Sequence, residues 1–247
     1  MKILAIDTTA KTAAIAVTDG KRLLASVTLN TPSTHSVTVL PMVEKLLSEA
    51  GMTVSDVDLF ACSAGPGSFT GVRIGVSLLK GLAFGTDKPC VGVSSLYALA
   101  HNATLADGII CPVMDARRNQ LYNALFRCEF GRLTRLTEDR LITADELKKE
   151  LMRIDLPVRF VGDGCAIAER QIISASDTYG RLSVVPELYR WQNGYSVAMA
   201  ALEKYQLALD ENADMREFTA SSLSPVYLRA SQAEREREEK LAKGDGN

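Results

Sequence analysis

Two aspartates, one glycine-rich stretch and two histidines are the residues of this chain whose types and spacing could do chemistry. Asp7 closes the apolar run 3–6 and is followed by Thr8 and Thr9, and Asp115 closes a second such run at 109–114. Carboxylates at the ends of two equivalent strands are how a protein organises a divalent ion on a nucleotide's phosphates. The same short acidic side chains also satisfy turn amides, and the sequence leaves both readings open. Residues 64–75, AGPGSFTGVRIG, follow a strand and open a helix. Gly65, Gly67 and Gly71 therefore lie where free N–H groups and the helix dipole favour an anion, or where another backbone comes close.

Neither standard nucleotide signature fits. A P-loop needs Lys and Ser/Thr after its glycine, and Gly71 is followed by Val72-Arg73. A dinucleotide fold needs its third glycine one place earlier and an acidic residue where Ser94 and Ser95 stand. Ser68 reads as a helix N-cap, because GxSxG is absent and only His35 and His101 could serve as a base. Gly71 and Gly75 lie four apart, with Leu78, Leu79 and Leu82 continuing that side. Glycine lowers helix stability, so a close neighbour should explain the pair. That neighbour is a helix of the same core or of a partner. Val39, Leu40, Val43, Leu46 and Leu47 give the preceding helix an apolar surface wide enough to pack inward and leave an edge for such a partner.

The elements that position these residues alternate. Strands are expected at 2–6, 13–18, 23–29, 59–64 and 90–93, with helices at 34–50, 68–84 and 96–103. The second half repeats the plan: strands at 109–115, 120–128, 159–161 and 182–185, a capping box at Thr143 opening a helix to 153, and helices from 166 and over 196–209. IDTTAKTAAIAV and MDARRNQLYNAL share one pattern, which predicts an internal duplication. Lobes at 1–105 and 106–229 follow, with a mixed-charge, solvated tail at 230–247.

Composition bounds the rest. The chain has 247 residues, 47% hydrophobic and 23% charged, with a net charge of −2, so it lacks the cation excess that holds proteins on nucleic acid. RNA is expected to be reached only indirectly, through a partner. Five cysteines without a CxxC pair predict reduced, buried thiols. The first apolar run stops at Asp7, too short for a signal peptide, and the uncharged stretch 89–106 carries too many polar residues for a membrane span. A cytoplasmic protein without membrane contact is expected.

Ile6-Asp7-Thr8-Thr9, the block GPGSFTGVRIG at 65–75, Met114-Asp115-Ala116-Arg117 and Pro225-Val226-Tyr227-Leu228-Arg229 together resemble the bacterial TsaB family of the tRNA threonylcarbamoyladenosine machinery. The resemblance implies an α/β fold of two duplicated actin-like, ribonuclease H-like lobes, with mixed sheets flanked by helices and a reduced second lobe. It implies a non-catalytic accessory subunit that binds and activates a TsaD-type transferase, joined by a TsaE-type P-loop ATPase. The enzymatic relative carries HxxxH, two imidazoles that can share a metal; here His35 is followed by Val39, so no metal and no catalytic residue is expected. The partner interface is then His35, Val39, Val43, Leu46, Ser68, Gly71, Val72, Gly75, Leu78, Leu79 and Leu82, which also serves for a homodimer when the partner is absent. Asp7, Thr8, Thr9, Asp115, Gly162 and Gly164 would line a vestigial nucleotide cleft. No cofactor is required, and ATP or ADP binds weakly or at the subunit interface. The competing readings are an ATP-dependent small-molecule kinase of the same fold and a metallopeptidase-like hydrolase.

Overall fold

The computed structural model describes residues 1–31, 34–175 and 180–229; the predicted tail lies outside them. In the first lobe β1 (Lys2–Asp7), β2 (Ala13–Asp19) and β3 (Arg22–Leu29) form an antiparallel meander. Helix α1 (His35–Glu49), β4 (Leu59–Gly65), α2 (Phe69–Ala83), β5 (Cys90–Ser94) and α3 (Ser95–His101) follow. The sheet order is β3-β2-β1-β4-β5, with β4 and β5 parallel to β1. Parallel pairing follows from the helical crossovers.

The second lobe contains β6 (Gly108–Asp115), β7 (Gln120–Asn123), β8 (Phe126–Glu129), β9 (Arg132–Arg135), β10 (Arg140–Thr143), α4 (Ala144–Leu151), β11 (Val158–Val161), α5 (Cys165–Ala168), β12 (Leu182–Val184), α6 (Glu187–Arg190) and α7 (Gly194–Asp210). The expected strand at 120–128 is broken in two. Leu125 turns away, donating its N–H to Thr137 Oγ1 at 2.9 Å, so β7 pairs with one end of β6 and β8 with the other. β10 and β9 complete the two outer ladders. Taking β7 with β8 and β10 with β9 as one strand each, the order of the first sheet recurs in the second. The architecture is two ribonuclease H-like, actin-like lobes.

The alternation of β1 decides which helices cover which face. Leu4 and Ile6 pack with Val39, Val43 and Leu46 of α1 and Val72, Val76 and Leu79 of α2. Ile3 and Ala5 face the other way, onto Val197, Ala198, Ala201 and Leu202 of α7. Both faces are covered, which is why these strands are apolar throughout. Residues from 106 onward thus build both lobes, because α7 returns to the first sheet. Its start is tightly seated: a Cβ on Gly194 would lie 2.4 Å from the Ala16 nitrogen.

The last described residues run back as a strap across the two lobes. Leu223 enters the first core, Val226 N–H donates to the Ala64 carbonyl at 2.7 Å, and Arg229 Nη1 donates to the Ala116 carbonyl at 2.9 Å. Gly65 sits at φ +119°, and its own Cβ would lie 2.2 Å from the Val226 oxygen; only glycine fits there. All five thiols are free and buried. Among the described residues no helix is long and apolar enough to cross a membrane.

Candidate functional site

Asp7 ends β1 with its carboxylate fully engaged. Thr9 donates to Oδ1 from N–H at 2.8 Å and from Oγ1 at 2.7 Å, and Ser63 Oγ donates to Oδ2 at 2.5 Å. Burial pushes the carboxyl above its usual range, and the Ser63 and Thr9 donors oppose that rise. The turn after Asp7 explains the glycine stretch. Ser68 N–H donates to the Thr9 carbonyl at 2.7 Å, and Thr8 Oγ1 donates to the Gly71 carbonyl at 2.7 Å. A Cβ on Gly71 would meet the Thr8 oxygen at 2.0 Å, one on Gly67 the Thr9 oxygen at 2.5 Å, and one on Gly75 Thr8 Oγ1 at 2.5 Å. Of the two readings of residues 64–75, phosphate or backbone approach, the backbone is what these glycines receive. Ser68 caps α2, accepting from Gly71 N–H at 3.3 Å.

That packing corrects the expected composition of the partner surface. Gly71, Val72, Gly75 and Leu79 of α2, and Val39, Val43 and Leu46 of α1, are buried in their own lobe, because α1 and α2 lie side by side on one sheet face. The small side of α2 receives the Thr8 turn of the same chain. The outward residues are different: Val37 is 70% exposed and Leu40 41% exposed, while Leu78 and Leu82 are half-buried and Ser68 exposed. His35 opens α1, with Nε2 at 2.8 Å from the Ala10 carbonyl.

Between the lobes lies a cleft of 1140 Å³, lined by Thr9, Ser68 and His35 on one side and Asp115, Arg117 and Asp163 on the other. Of the two aspartates expected to line a cleft, Asp115 does so and Asp7, buried in the first lobe, does not. Asp115 accepts from Arg117 N–H at 2.7 Å and pairs with its guanidinium at 3.4 Å. Gly162 and Gly164 are likewise used internally: their Cβ atoms would lie 2.2 and 3.0 Å from the Val113 oxygen, so the pair seats β11 and α5 on β6. Among the described residues no group of three His, Cys, Asp or Glu side chains could hold a metal.

Two features of the cleft were not legible as site features. Arg117, Arg118 and Asn119 stand in succession at φ +65°, +53° and +62°, a left-handed run that costs non-glycine residues about 1 kcal/mol each. The strap from Val226 to Arg229 lines the cleft, with Tyr227 stacked on Phe69 at 4.4 Å and accepting from Arg73 Nε at 2.9 Å. Aromatic and arginine residues at matching distances along the chain carry no periodic signal. Asp163, which accepts from Asp115 N–H at 3.3 Å, is pushed up to about 6 by burial. Since the folded chain holds this proton more tightly than the unfolded one, stability falls as pH rises from the ordinary 3.8 through about 6. Asp163→Asn should give a shallower fall over that window and a higher melting temperature at neutral pH, read from thermal melts at stepped pH. A steeper fall would contradict the assignment.

The comparisons with known proteins decide the family. The chain is 34% identical over 234 residues to the tRNA threonylcarbamoyladenosine biosynthesis protein TsaB of Bacillus subtilis (strain 168), covering 95% of this chain and 96% of that one. The chain belongs to the TsaB family. It is also 34% identical over 155 residues to the TsaB protein of Escherichia coli (strain K12), covering 62% and 67% of the two chains. A solved structure described as YeaZ from Pseudomonas aeruginosa superposes with a TM-score of 0.70 at 26% identity, covering 92% of this chain and 99% of that one. The family model described as TsaD, tRNA N6-adenosine threonylcarbamoyltransferase, matches residues 23–237. The chain therefore shares a wider family with the transferases of the same tRNA modification.

Proposed function

We propose that this chain is a non-catalytic accessory subunit that binds and activates a TsaD-type threonylcarbamoyltransferase acting on the adenosine beside the tRNA anticodon. The observation that carries this reading is a division of labour within the first lobe. The residues that could do chemistry, Asp7, Ser68 and His35, are engaged in holding the chain's own turns, while α1 leaves Val37 and Leu40 exposed beside half-buried Leu78 and Leu82 of α2. Exposed Val37 and Leu40 on α1, with the uncovered parts of Leu78 and Leu82, which otherwise pack on the first core, offer a surface for another helical pair. The TsaD-type subunit is the partner that fits it, and a second copy of this chain occupies the same face when that partner is absent. The TsaE-type P-loop ATPase joins the assembled pair, and ATP or ADP, which the chain does not require, binds weakly or at the subunit interface.

The test is reconstitution. Purified transferase should modify tRNA in the presence of this chain and the ATPase, and lose that activity when the chain is omitted. Full activity without it would overturn the proposal.

A further inference from the structure

We propose that the interlobe cleft holds a single-stranded stretch of RNA, with bases stacked on Phe69, Tyr227 and Trp191 and phosphates on Lys11 and Arg118. The inference rests on the tRNA-modification reading, and it departs from the expectation that RNA is met only through a partner. Three observations lead to it.

First, the features that would hold a metal-bound mononucleotide are spent within the fold. Asp7 has three donors, and Gly162 and Gly164 pack on Val113.

Second, the charge left over is cationic. Of the lining cations, Arg117 is paired with Asp115 and Arg229 is bonded to Ala116. Lys11 and Arg118 are exposed and make no hydrogen bond or ion pair among the described residues. Two free cations on one cleft outnumber the one lining carboxylate without a basic partner, Asp163, which accepts the Asp115 N–H, and they suit a chain of phosphates.

Third, the lining includes the rings of Phe69, Trp191 and Tyr227. Phe69 and Tyr227 stack at 4.4 Å, and the Arg73 guanidinium lies 3.9 Å from the Phe69 ring centre. Trp191 is fixed by its Nε1 donating to Glu187 at 2.8 Å. Ring faces beside cations are the elements with which proteins bind single strands without reading their sequence. The 1140 Å³ cleft also exceeds the roughly 300–1,000 Å³ typical of a small-molecule pocket.

Trp191 is the single tryptophan of the chain, so its fluorescence reports on the cleft directly. Titration of the full chain with a short oligoadenylate should quench it saturably, with at least tenfold tighter binding than ATP. The affinity should fall with salt with a log–log slope of about −1.4, from two phosphate contacts on a single strand. Lys11→Ala and Arg118→Ala, both exposed and remote from the core, should each reduce that slope by about 0.7. Binding of ATP as tight as that of the oligonucleotide, or an oligonucleotide affinity untouched in both variants, would overturn the inference. Val37, Leu40, Leu78 and Leu82, which carry the proposed pairing with the transferase, are not among the residues that line the cleft. If RNA fails to bind while the chain still pairs and activates, this inference alone falls; if RNA binds while pairing fails, the accessory-subunit reading falls instead.

Discussion

Gly71→Ala is expected to lower the stability of the fold by about 3 kcal/mol or more, although it adds a single methyl group to a helix. Inside a helix such a change ordinarily stabilises. Here the new Cβ would stand 2.0 Å from the Thr8 carbonyl oxygen, which is backbone and cannot swing aside. Relief requires α2 to move off the turn. That movement stretches the Thr8 Oγ1 bond to the Gly71 carbonyl and the Ser68 N–H bond to Thr9, and it lifts Val72 and Val76 out of the core. Overpacking and the lost bonds act together. For a chain of this size the melting temperature should drop by roughly 6–12 °C, read by calorimetry. Gly81→Ala is the control, since a Cβ there meets nothing within 4 Å; it should stabilise by about 0.5–1 kcal/mol. Equal melting temperatures for the two variants would refute this account of the glycine pair.

Leu40→Arg is expected to weaken pairing with the TsaD-type transferase by about a hundredfold or more while leaving the melting temperature within a few degrees. Leu40 is 41% exposed on the outer face of α1, so arginine there has room and water in the free chain. In the proposed complex the same position is covered, and an apolar contact is replaced by a charge without a partner. Titration calorimetry on the purified subunits, with circular dichroism alongside, separates the two effects. Val39→Arg gives the contrast: that side chain is 0% exposed, so the variant should fail to fold and lose pairing for that reason. Normal pairing by Leu40→Arg would remove the outer face of α1 from the interface.

The first lobe was readable in advance because β1, β2 and β4 are buried on both faces and its turns carry strong local chemistry, such as Asp19-Gly20 and the capping Ser68. The glycine pair was read as needing a close neighbour, expected to be a helix of the same core or of a partner, and the neighbour is instead the Thr8 turn. Spacing alone could not say which one, because the Thr8 turn lies 63 residues away from Gly71. β9 and β10 escaped notice because RLTR and RLIT are short, half-buried and flanked by charge, which leaves no clear alternation. The broken strand at 124–125 depends on a side chain twelve residues on, Thr137. Asp7 and Asp115 look alike in sequence and differ in the structure through Ser63 and Thr9, which draw only the first into the core.

The return of α7 and the strap to the first sheet has a consequence for synthesis on the ribosome. Residues 1–105 contain every strand of that sheet, yet most of the cover of Ile3, Ala5, Leu59 and Val91 comes from α7 and Phe218, with Ala98 of α3 the earlier part, and the Ala64 carbonyl waits for Val226 N–H. About ten seconds of elongation separate the two at ordinary translation rates. During that interval one face of a finished sheet is covered only in part, by α3, in the nascent chain. The second lobe emerges meanwhile, so it must fold as an insert within an incomplete host, and the nascent first lobe is a natural client for a chaperone until the last helix arrives.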